Sequence, residues 1–122
     1  MPTNPINAYQ QKSKLAITPR AADAQAFSKA ARMLDLASKG DFDFTTYSEA
    51  LHFNQTLWTL IQADLENNAP HISATLRIDI INLSLYVDKQ IAKALADPEP
   101  GHLGPLIEIN RSIARGLSST TS

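Results

Sequence analysis

The sequence predicts an all-α fold, and two features of its 122 residues carry this prediction. Apolar residues recur every three or four positions over long stretches, which is the spacing of one buried helix face. No segment shows the strict apolar–polar alternation of a half-buried strand. We therefore expect a small single-domain helical bundle of three long helices, a shorter C-terminal helix and an N-terminal arm. The arm is expected over residues 1–17 and a disordered tail over residues 118–122, within one domain that spans 1–122.

The first long helix is predicted over about residues 20–39. Thr18 suits the N-cap, Pro19 the first helical position and Gly40 the left-handed residue that ends many helices. The spacing assigns five apolar residues to its buried face, namely Phe27, Ala30, Ala31, Leu34 and Ala37. Three of these are alanines, so a neighbouring helix is expected to approach closely.

The second helix is predicted over about residues 46–66, with Thr46 and Glu49 in the pattern of a capping box. Its inward residues fall within an arc of about 120° on a helical projection. They are Tyr47, Ala50, Leu51, Asn54, Leu57, Trp58, Ile61 and Leu65. Because Trp58 lies in the middle of this arc, it is expected in the core.

The third helix, over about residues 74–96, is apolar on two sides. One stripe consists of Leu76, Ile80, Leu83 and Val87, and the opposite stripe of Ile78, Ile81 and Leu85. A helix that is apolar all round is usually buried, so this helix is expected in the centre of the bundle.

The fourth helix is predicted from Pro105 to about Gly116, after the strongest helix-breaking segment of the chain, residues 97–101. Its stripe comprises Leu106, Ile109, Asn110, Ile113 and Leu117. In the arm, Asn4 and Pro5 are expected to begin a short helix.

Composition excludes several classes of function. Eleven lysine and arginine residues against twelve acidic ones give a formal net charge of −1, which disfavours a nucleic-acid binder. The chain has no cysteine, so disulfides and thiolate metal sites are impossible. No apolar run approaches the ~20 residues of a membrane span and no secretory signal is visible, so we expect a soluble cytoplasmic protein.

Nothing in the sequence forms a catalytic constellation. The three histidines, His52, His71 and His102, lack the spacing of a helical metal pair and are expected as solvated surface residues. There is no glycine-rich phosphate loop and no nucleophile motif. We therefore expect a protein that is not an enzyme and that needs no metal or cofactor.

Asparagines interrupt the apolar stripes. Asn54, Asn110 and, less clearly, Asn82 fall on faces that are otherwise buried. A buried amide must be hydrogen-bonded, so these residues either form a core network or meet the backbone of a partner.

Two arginines flank apolar runs and are expected in salt bridges. Arg77 is expected to pair with Asp79 or a neighbouring helix, and Arg111 with Glu108.

Phe53, Leu57 and Leu60 form a further apolar group on the second helix. They are expected either to pack under the N-terminal arm or the loop that contains Phe42 and Phe44, or to expose a groove for a partner helix.

Four blocks of residues together carry a family resemblance. They are Asn7-Ala8-Tyr9-Gln10; Glu49-Ala50-Leu51 followed by Asn54 and Leu57-Trp58; Leu76-Arg77 followed by Ile80-Ile81 and Leu83-Ser84-Leu85; and Leu106 to Arg111 ending at Gly116-Leu117. In this order and spacing they resemble the FlaF family, flagellar biosynthesis regulators of α-proteobacteria, over about residues 7–117.

The resemblance implies a cytoplasmic protein needed for flagellin production and export. Proteins of this family are thought to act on flagellin as a secretion chaperone or assembly adaptor, opposite FlbT, a regulator associated with flagellin mRNA. Flagellin has amphipathic terminal segments that pair only in the filament, so their apolar faces need cover before export.

On this basis we expect a flagellin-binding protein that takes a terminal helix of flagellin into a groove. The groove is expected between the second and third helices or against the C-terminal helix. The candidate contacts are Tyr9, Phe53, Leu57, Leu60, Ile107 and Arg111. Tyr9 belongs to the arm, which could swing aside to vacate the groove.

Two alternatives stay open at this point. The first is a translational regulator that acts with an FlbT-like protein or on flagellin mRNA. Lys29, Arg32 and Lys39 share part of one helix, although Asp35 interrupts them. The second is a structural subunit of a larger complex.

Overall fold

A computed structural model describes residues 18–119 of the protein, and within this range it holds four α-helices, one 3₁₀ turn and no strand. The elements are α1 (Pro19–Ser38), α2 (Phe44–Glu66), α3 (Ala74–Ala96), the 3₁₀ turn (Pro100–Leu103) and α4 (Gly104–Ser118). The predicted all-α class and the four main helices are confirmed. Ser118, which we assigned to the tail, is the last residue of α4. The predicted short helix in the arm lies outside the described residues.

The four helices form a bundle in which each contacts its neighbours in the order α1, α2, α3, α4 and back to α1. The most extensive packing is between α1 and α4, followed by α1 with α2 and α2 with α3, while α3 contacts α4 less. The edge between α2 and α3 and the edge between α1 and α4 therefore lie on opposite sides of the bundle.

The start of α1 follows the prediction. The Thr18 hydroxyl accepts a hydrogen bond of 3.0 Å from the backbone N–H of Ala21, and Pro19 is the first helical residue. Beyond the C-cap, Gly40 has a φ of +70°, as expected for a left-handed residue. The five residues predicted for the inner face are all buried, and Ala24 joins them.

The predicted capping box at the start of α2 is wrong. The helix begins at Phe44, two residues earlier than expected, and its N-cap is Asp43. The Asp43 carboxylate accepts hydrogen bonds from the Thr46 hydroxyl at 2.6 Å and from the Thr46 backbone N–H at 3.3 Å. These bonds hold the pKa of Asp43 below its ordinary value of 3.8. Asp43, three residues before Thr46, is therefore the N-cap of α2. Thr46 lies in the first turn of the helix and donates hydrogen bonds to the cap.

The predicted burial of the inward arc of α2 is confirmed, except that Leu57 lies at its margin. Seven of the eight residues predicted there are buried, and Leu57 is half-buried. Trp58 is fully buried and its ring meets Phe27 of α1 edge-on, with 5.5 Å between centroids.

The predicted central position of α3 is wrong. Leu76, Ile80 and Val87 are buried, but the opposite stripe is exposed: Ile78 by 57%, Ile81 by 55% and Leu85 by 64%. The reason is the helix order, because α3 packs against α2 on one side and α4 on the other and no described element covers its outer face. Asn82 lies on this exposed side too.

Of the two partners predicted for Arg77, Asp79 is wrong, and the neighbouring helix is the one contacted, although through carbonyls and not through an ion pair. The Arg77 guanidinium donates to two backbone carbonyls, that of Leu65 at 3.1 Å and that of Ala69 at 2.9 Å. These carbonyls lie at and beyond the C-terminal end of α2, where carbonyls lack helical donors. Arg77 therefore fastens α3 to the end of α2.

The asparagines of α2 and α4 form the predicted core network. Asn54 and Asn110 are both 0% exposed. The Asn110 amide donates to the side-chain oxygen of Asn54, and the indole N–H of Trp58 donates to Oδ1 of Asn110 at 3.0 Å. Asn54 in turn donates to the carbonyls of Ala50 at 2.9 Å and Ala30 at 3.4 Å. Both asparagines are thus satisfied inside the bundle and are core residues.

Candidate functional site

A groove runs along the edge between α2 and α3, and it has a volume of about 440 Å³. Its lining comes from the end of α2 and the first half of α3. The lining residues are Gln62, Leu65, Glu66, Ile81 and Ser84. We call this surface the α2/α3 groove.

The exposed stripe of α3 lies beside this groove. Ile81 belongs to both, and Ile78 and Leu85 are one turn away on either side of it. We call these three residues the α3 stripe. Because residues spaced by three, four and seven lie on one side of a helix, the α3 stripe is a continuous apolar ridge that extends the groove onto the surface.

A polar group in the groove lacks a partner. Among residues 18–119, no acceptor pairs with the amide nitrogen of Gln62, although that atom is buried. A buried donor without a partner is destabilising by about 1–3 kcal/mol. A carbonyl or hydroxyl oxygen of a ligand that entered the groove could accept this hydrogen bond.

Three predicted contacts lie on the other flank of α2. The ammonium group of Lys29, on α1, is 5.0 Å from the centre of the Phe53 ring. Phe53 therefore faces the edge between α1 and α2. Leu57 and Leu60 follow it at intervals of four and seven residues, which places them on the same flank. Phe53 and Leu57 are half-buried, and Leu60 is 59% exposed.

The loop before α2 does not bury this group in the way that one alternative expected. The ring of Phe42 packs on Tyr47, with 5.3 Å between centroids, and Phe44 is 55% exposed. The other predicted cover, the N-terminal arm, lies outside the described residues.

The two predicted contacts on α4 have different environments. Ile107 is 6% exposed and belongs to the hydrophobic core, so a bound helix would not reach it while α4 stays packed. Arg111 is exposed, and its guanidinium lies 3.6 Å from the Glu108 carboxylate, as predicted, and 3.9 Å from that of Asp35.

The structure thus brings together only Phe53, Leu57 and Leu60 of the six predicted contacts. Tyr9 lies outside the described residues. Gln62 and Ile81, which line the α2/α3 groove, were not singled out as contacts. The second apolar stripe of the third helix includes Ile81 and could have indicated this site. The sequence analysis predicts that stripe to be buried, whereas it is exposed.

The histidines differ from the expectation of free solvated residues at two positions. His52 is exposed, whereas Nε2 of His71 lies 2.7 Å from the Asp23 carboxylate and Nε2 of His102 lies 3.1 Å from that of Asp97. The first contact ties the loop after α2 to the first turns of α1.

One trio of side chains has the composition of a metal site. Asp97, Glu99 and His102 each offer a ligand atom, and these atoms lie within 4.8 Å of one another. Both carboxylates are exposed, and His102 already contacts Asp97. The contact between Asp97 and His102 spans the segment that leads from α3 into the 3₁₀ turn.

No helix within residues 18–119 combines the length and apolar character that a membrane crossing requires.

The chain matches a known protein family. The profile of the family described as flagellar protein FlaF matches residues 5–117. Neither the curated proteins nor the solved structures include a match to the chain. The match covers nearly the whole chain, the described bundle included, and so the chain belongs to the FlaF family of flagellar proteins.

Proposed function

We propose that this protein is a non-enzymatic factor of flagellum biogenesis that binds an amphipathic terminal helix of flagellin before export, as a secretion chaperone or assembly adaptor. The α2/α3 groove and the α3 stripe form the binding surface. The observation that carries the proposal is the exposure of Ile78, Ile81 and Leu85, each more than half exposed, on a helix of a flagellar-family protein.

The chemistry of the two partners is complementary. The terminal segments of flagellin are amphipathic and find their apolar partners only in the filament. An apolar ridge at helical spacing beside a groove is the surface that takes such a helix. Full burial of an isoleucine or leucine side chain is worth about 1.5–3 kcal/mol. Covering the exposed halves of three such side chains therefore supplies a substantial fraction of the binding free energy of a micromolar complex, which is about 8 kcal/mol.

Gln62 would add a polar contact to this surface. Gln62 lines the groove, and its buried amide nitrogen has no acceptor within residues 18–119. After a change of the Gln62 rotamer, a flagellin side-chain or carbonyl oxygen could accept its hydrogen bond. A helix that both covers the stripe and pairs this donor binds better than one that only covers the stripe.

The test is titration calorimetry of the protein against monomeric flagellin and versions truncated at either end. We expect saturable binding that depends little on salt and is lost with one truncation. Ile81→Asp and Leu85→Asp should weaken binding about tenfold or more, because each places a charge in the apolar contact.

Leu60→Asp is the matched control. Leu60 is as exposed as the stripe residues and lies on the same bundle, but on the flank of α2 that faces α1. We expect it to leave flagellin binding unchanged. Urea unfolding of each variant confirms that the fold is intact.

The opposite pattern would identify a different surface. If Leu60→Asp weakens binding and Ile81→Asp does not, flagellin docks on the flank that carries Phe53, Leu57 and Leu60. If flagellin does not bind at tens of micromolar, the proposal is wrong and the alternative gains, namely regulation of flagellin synthesis through an FlbT-like protein or flagellin mRNA.

A further inference from the structure

A second groove lies on the opposite side of the bundle, between α1 and α4. It consists of a main part of about 900 Å³ and an adjoining part of about 230 Å³, which share Ser28 and Ser118. We call this surface the α1/α4 groove. It does not overlap the α2/α3 groove, and the inference drawn from it does not depend on flagellin binding.

The charge of the α1/α4 groove is unusual for this chain. Its lining contains five of the eleven lysine and arginine residues and none of the twelve acidic residues. The five are Arg20, Lys29, Arg32, Arg111 and Arg115. In a protein of net charge −1, this is a strong segregation of positive charge onto one edge.

Most of this positive charge is not neutralised. Within residues 18–119, Lys29, Arg32 and Arg115 have no carboxylate partner, and Arg115 donates only to the Ser112 hydroxyl at 3.1 Å. Arg111 is the exception, since it lies beside Glu108 and Asp35 at the edge of the groove.

Arg20 has a structural role. The Arg20 guanidinium donates to the backbone carbonyls of Leu117 at 2.7 Å and Gly116 at 2.9 Å. It thereby satisfies carbonyls at the C-terminal end of α4 and joins the two walls of the groove. Of the remaining cations, Arg32 and Arg115 have no carboxylate partner within residues 18–119, whereas Lys29 lies over the Phe53 ring and Arg111 beside two carboxylates.

The apolar part of the groove lining consists mostly of small side chains. This floor is formed by Ala21 and Ala24 of α1 and by Ala114 and Leu117 of α4. Small side chains let another helix approach closely, while the cations on both walls face its flanks. Lys29 and Arg32 come from α1, and Arg111 and Arg115 come from α4.

From this combination we infer that the α1/α4 groove is a docking site for an acidic amphipathic helix of a partner protein. The apolar side of that helix packs on the alanine floor, and its carboxylates pair with Lys29, Arg32 and Arg115. Single-stranded RNA suits the groove less, because recognition of its bases uses stacking aromatics and the lining contributed by residues 18–119 has none. The chain's own residues 1–17 carry Lys12 and Lys14 as their only charged side chains, so the groove would repel them.

The two grooves lie on opposite edges, so a partner helix in one leaves the other open. The protein could then hold two chains at once, one by apolar contacts on α3 and one by charge on α1 and α4.

The test uses a fluorescein-labelled peptide of about 18 residues, long enough to span the groove as a helix, with glutamates on one side and leucine and alanine on the other. Fluorescence anisotropy with the full-length protein should show saturable binding that weakens several-fold between about 0.05 M and 0.3 M salt. The double variant Arg32→Glu/Arg115→Glu should bind about tenfold more weakly or worse.

The control variant is Lys89→Glu/Lys93→Glu on α3. It makes the same change in net charge with two exposed residues and, like the test variant, alters one residue in the last turn of a helix. We expect it to bind the peptide normally. Two further probes are a scrambled peptide of the same composition without an apolar side and a uridine oligonucleotide of similar length.

Four results would overturn the inference. Equal loss in both variants would mean that net charge alone attracts the peptide. Equal binding of the scrambled peptide would exclude a role for the apolar floor. No binding of the peptide, or binding of the oligonucleotide instead with the same dependence on Arg32 and Arg115, would exclude a protein helix as the ligand.

Discussion

The indole N–H of Trp58 on α2 donates a hydrogen bond of 3.0 Å to the side-chain oxygen of Asn110 on α4, across the diagonal of the bundle. Both residues are fully buried. Asn110 also donates to Asn54, one turn before Trp58, so a single amide joins two positions of α2. This polar centre fixes the register of α2 against α4, because a slip of either helix would leave buried donors and acceptors unpaired.

Asn110→Ala should destabilise the fold strongly. The substitution leaves the Trp58 indole N–H without its acceptor and removes the donor to Asn54. Two buried groups without partners should lower the free energy of unfolding by about 2–5 kcal/mol. Urea unfolding followed by far-UV circular dichroism measures this change.

Asn82→Ala is the control for this substitution. Asn82 is exposed on α3, and alanine is the better helix former, so the change in stability should stay within about 0.5 kcal/mol. A loss below about 0.5 kcal/mol for Asn110→Ala would show that the network does not contribute to stability.

Gly40→Ala should destabilise the connection between α1 and α2. Gly40 has a φ of +70°, in the left-handed region that disfavours a Cβ, and a Cβ there would meet no other atom within 4 Å. The expected loss, about 1 kcal/mol, therefore comes from backbone conformation alone.

Gly101→Ala provides the comparison for Gly40. A Cβ at Gly101 also meets open space, but its φ is not in the left-handed region. Its free energy of unfolding should change by less than about 0.5 kcal/mol. Equal effects at the two glycines would contradict the conformational explanation.

The Asp43 cap should make stability depend on pH at the acidic end. Hydrogen bonds from Thr46 hold the pKa of Asp43 below 3.8 in the folded state. The folded protein therefore favours the charged carboxylate, and the resulting stabilisation is present above pH 3.8 and is lost as the pH falls through the lowered value. Asp43→Ala should be less stable than the parent protein at about pH 6, and the difference should shrink as the pH falls below 3.8.

The measurement is the urea midpoint of both proteins over this range. Asp35, whose pKa is also lowered, by a hydrogen bond from Lys39, is present in both proteins and cancels in the difference. A difference between the two proteins that is constant with pH would show that the charge of Asp43 does not stabilise α2.

At α3 the structure differs from the sequence prediction. The two apolar stripes of this helix were visible in the sequence, and the sequence offered no way to tell which of them a neighbour covers. Leu76, Ile80 and Val87 are buried because α2 and α4 lie against them, whereas no described element covers Ile78 and Ile81, which are each more than half exposed. The candidate site on α3 is therefore a consequence of helix order.

The environment of the contacts predicted on α2 and α4 also depends on which helices become neighbours. Phe53 and Leu60 lie outside the main buried arc, as the sequence predicts. That their flank of α2 faces α1 depends on helix packing, which places Lys29 of α1 over the Phe53 ring. Ile107, a predicted partner contact, lies in the core. For Arg77 the sequence predicts a salt bridge with Asp79 or with a neighbouring helix, and the structure shows contact with the neighbouring helix, through backbone carbonyls at its end.

Patterns within the sequence were enough to predict the all-α class, the extent of the four helices to within a few residues, and the inward faces of α1 and α2. These properties are local, since they depend on apolar spacing and on caps within one or two turns. Three features follow from helix packing instead: which apolar faces stay open, the contact of Trp58 with Asn110 across 52 residues of chain, and the five cations along the edge between α1 and α4. Each of these depends on which helices become neighbours, and that is settled by packing between segments far apart in sequence.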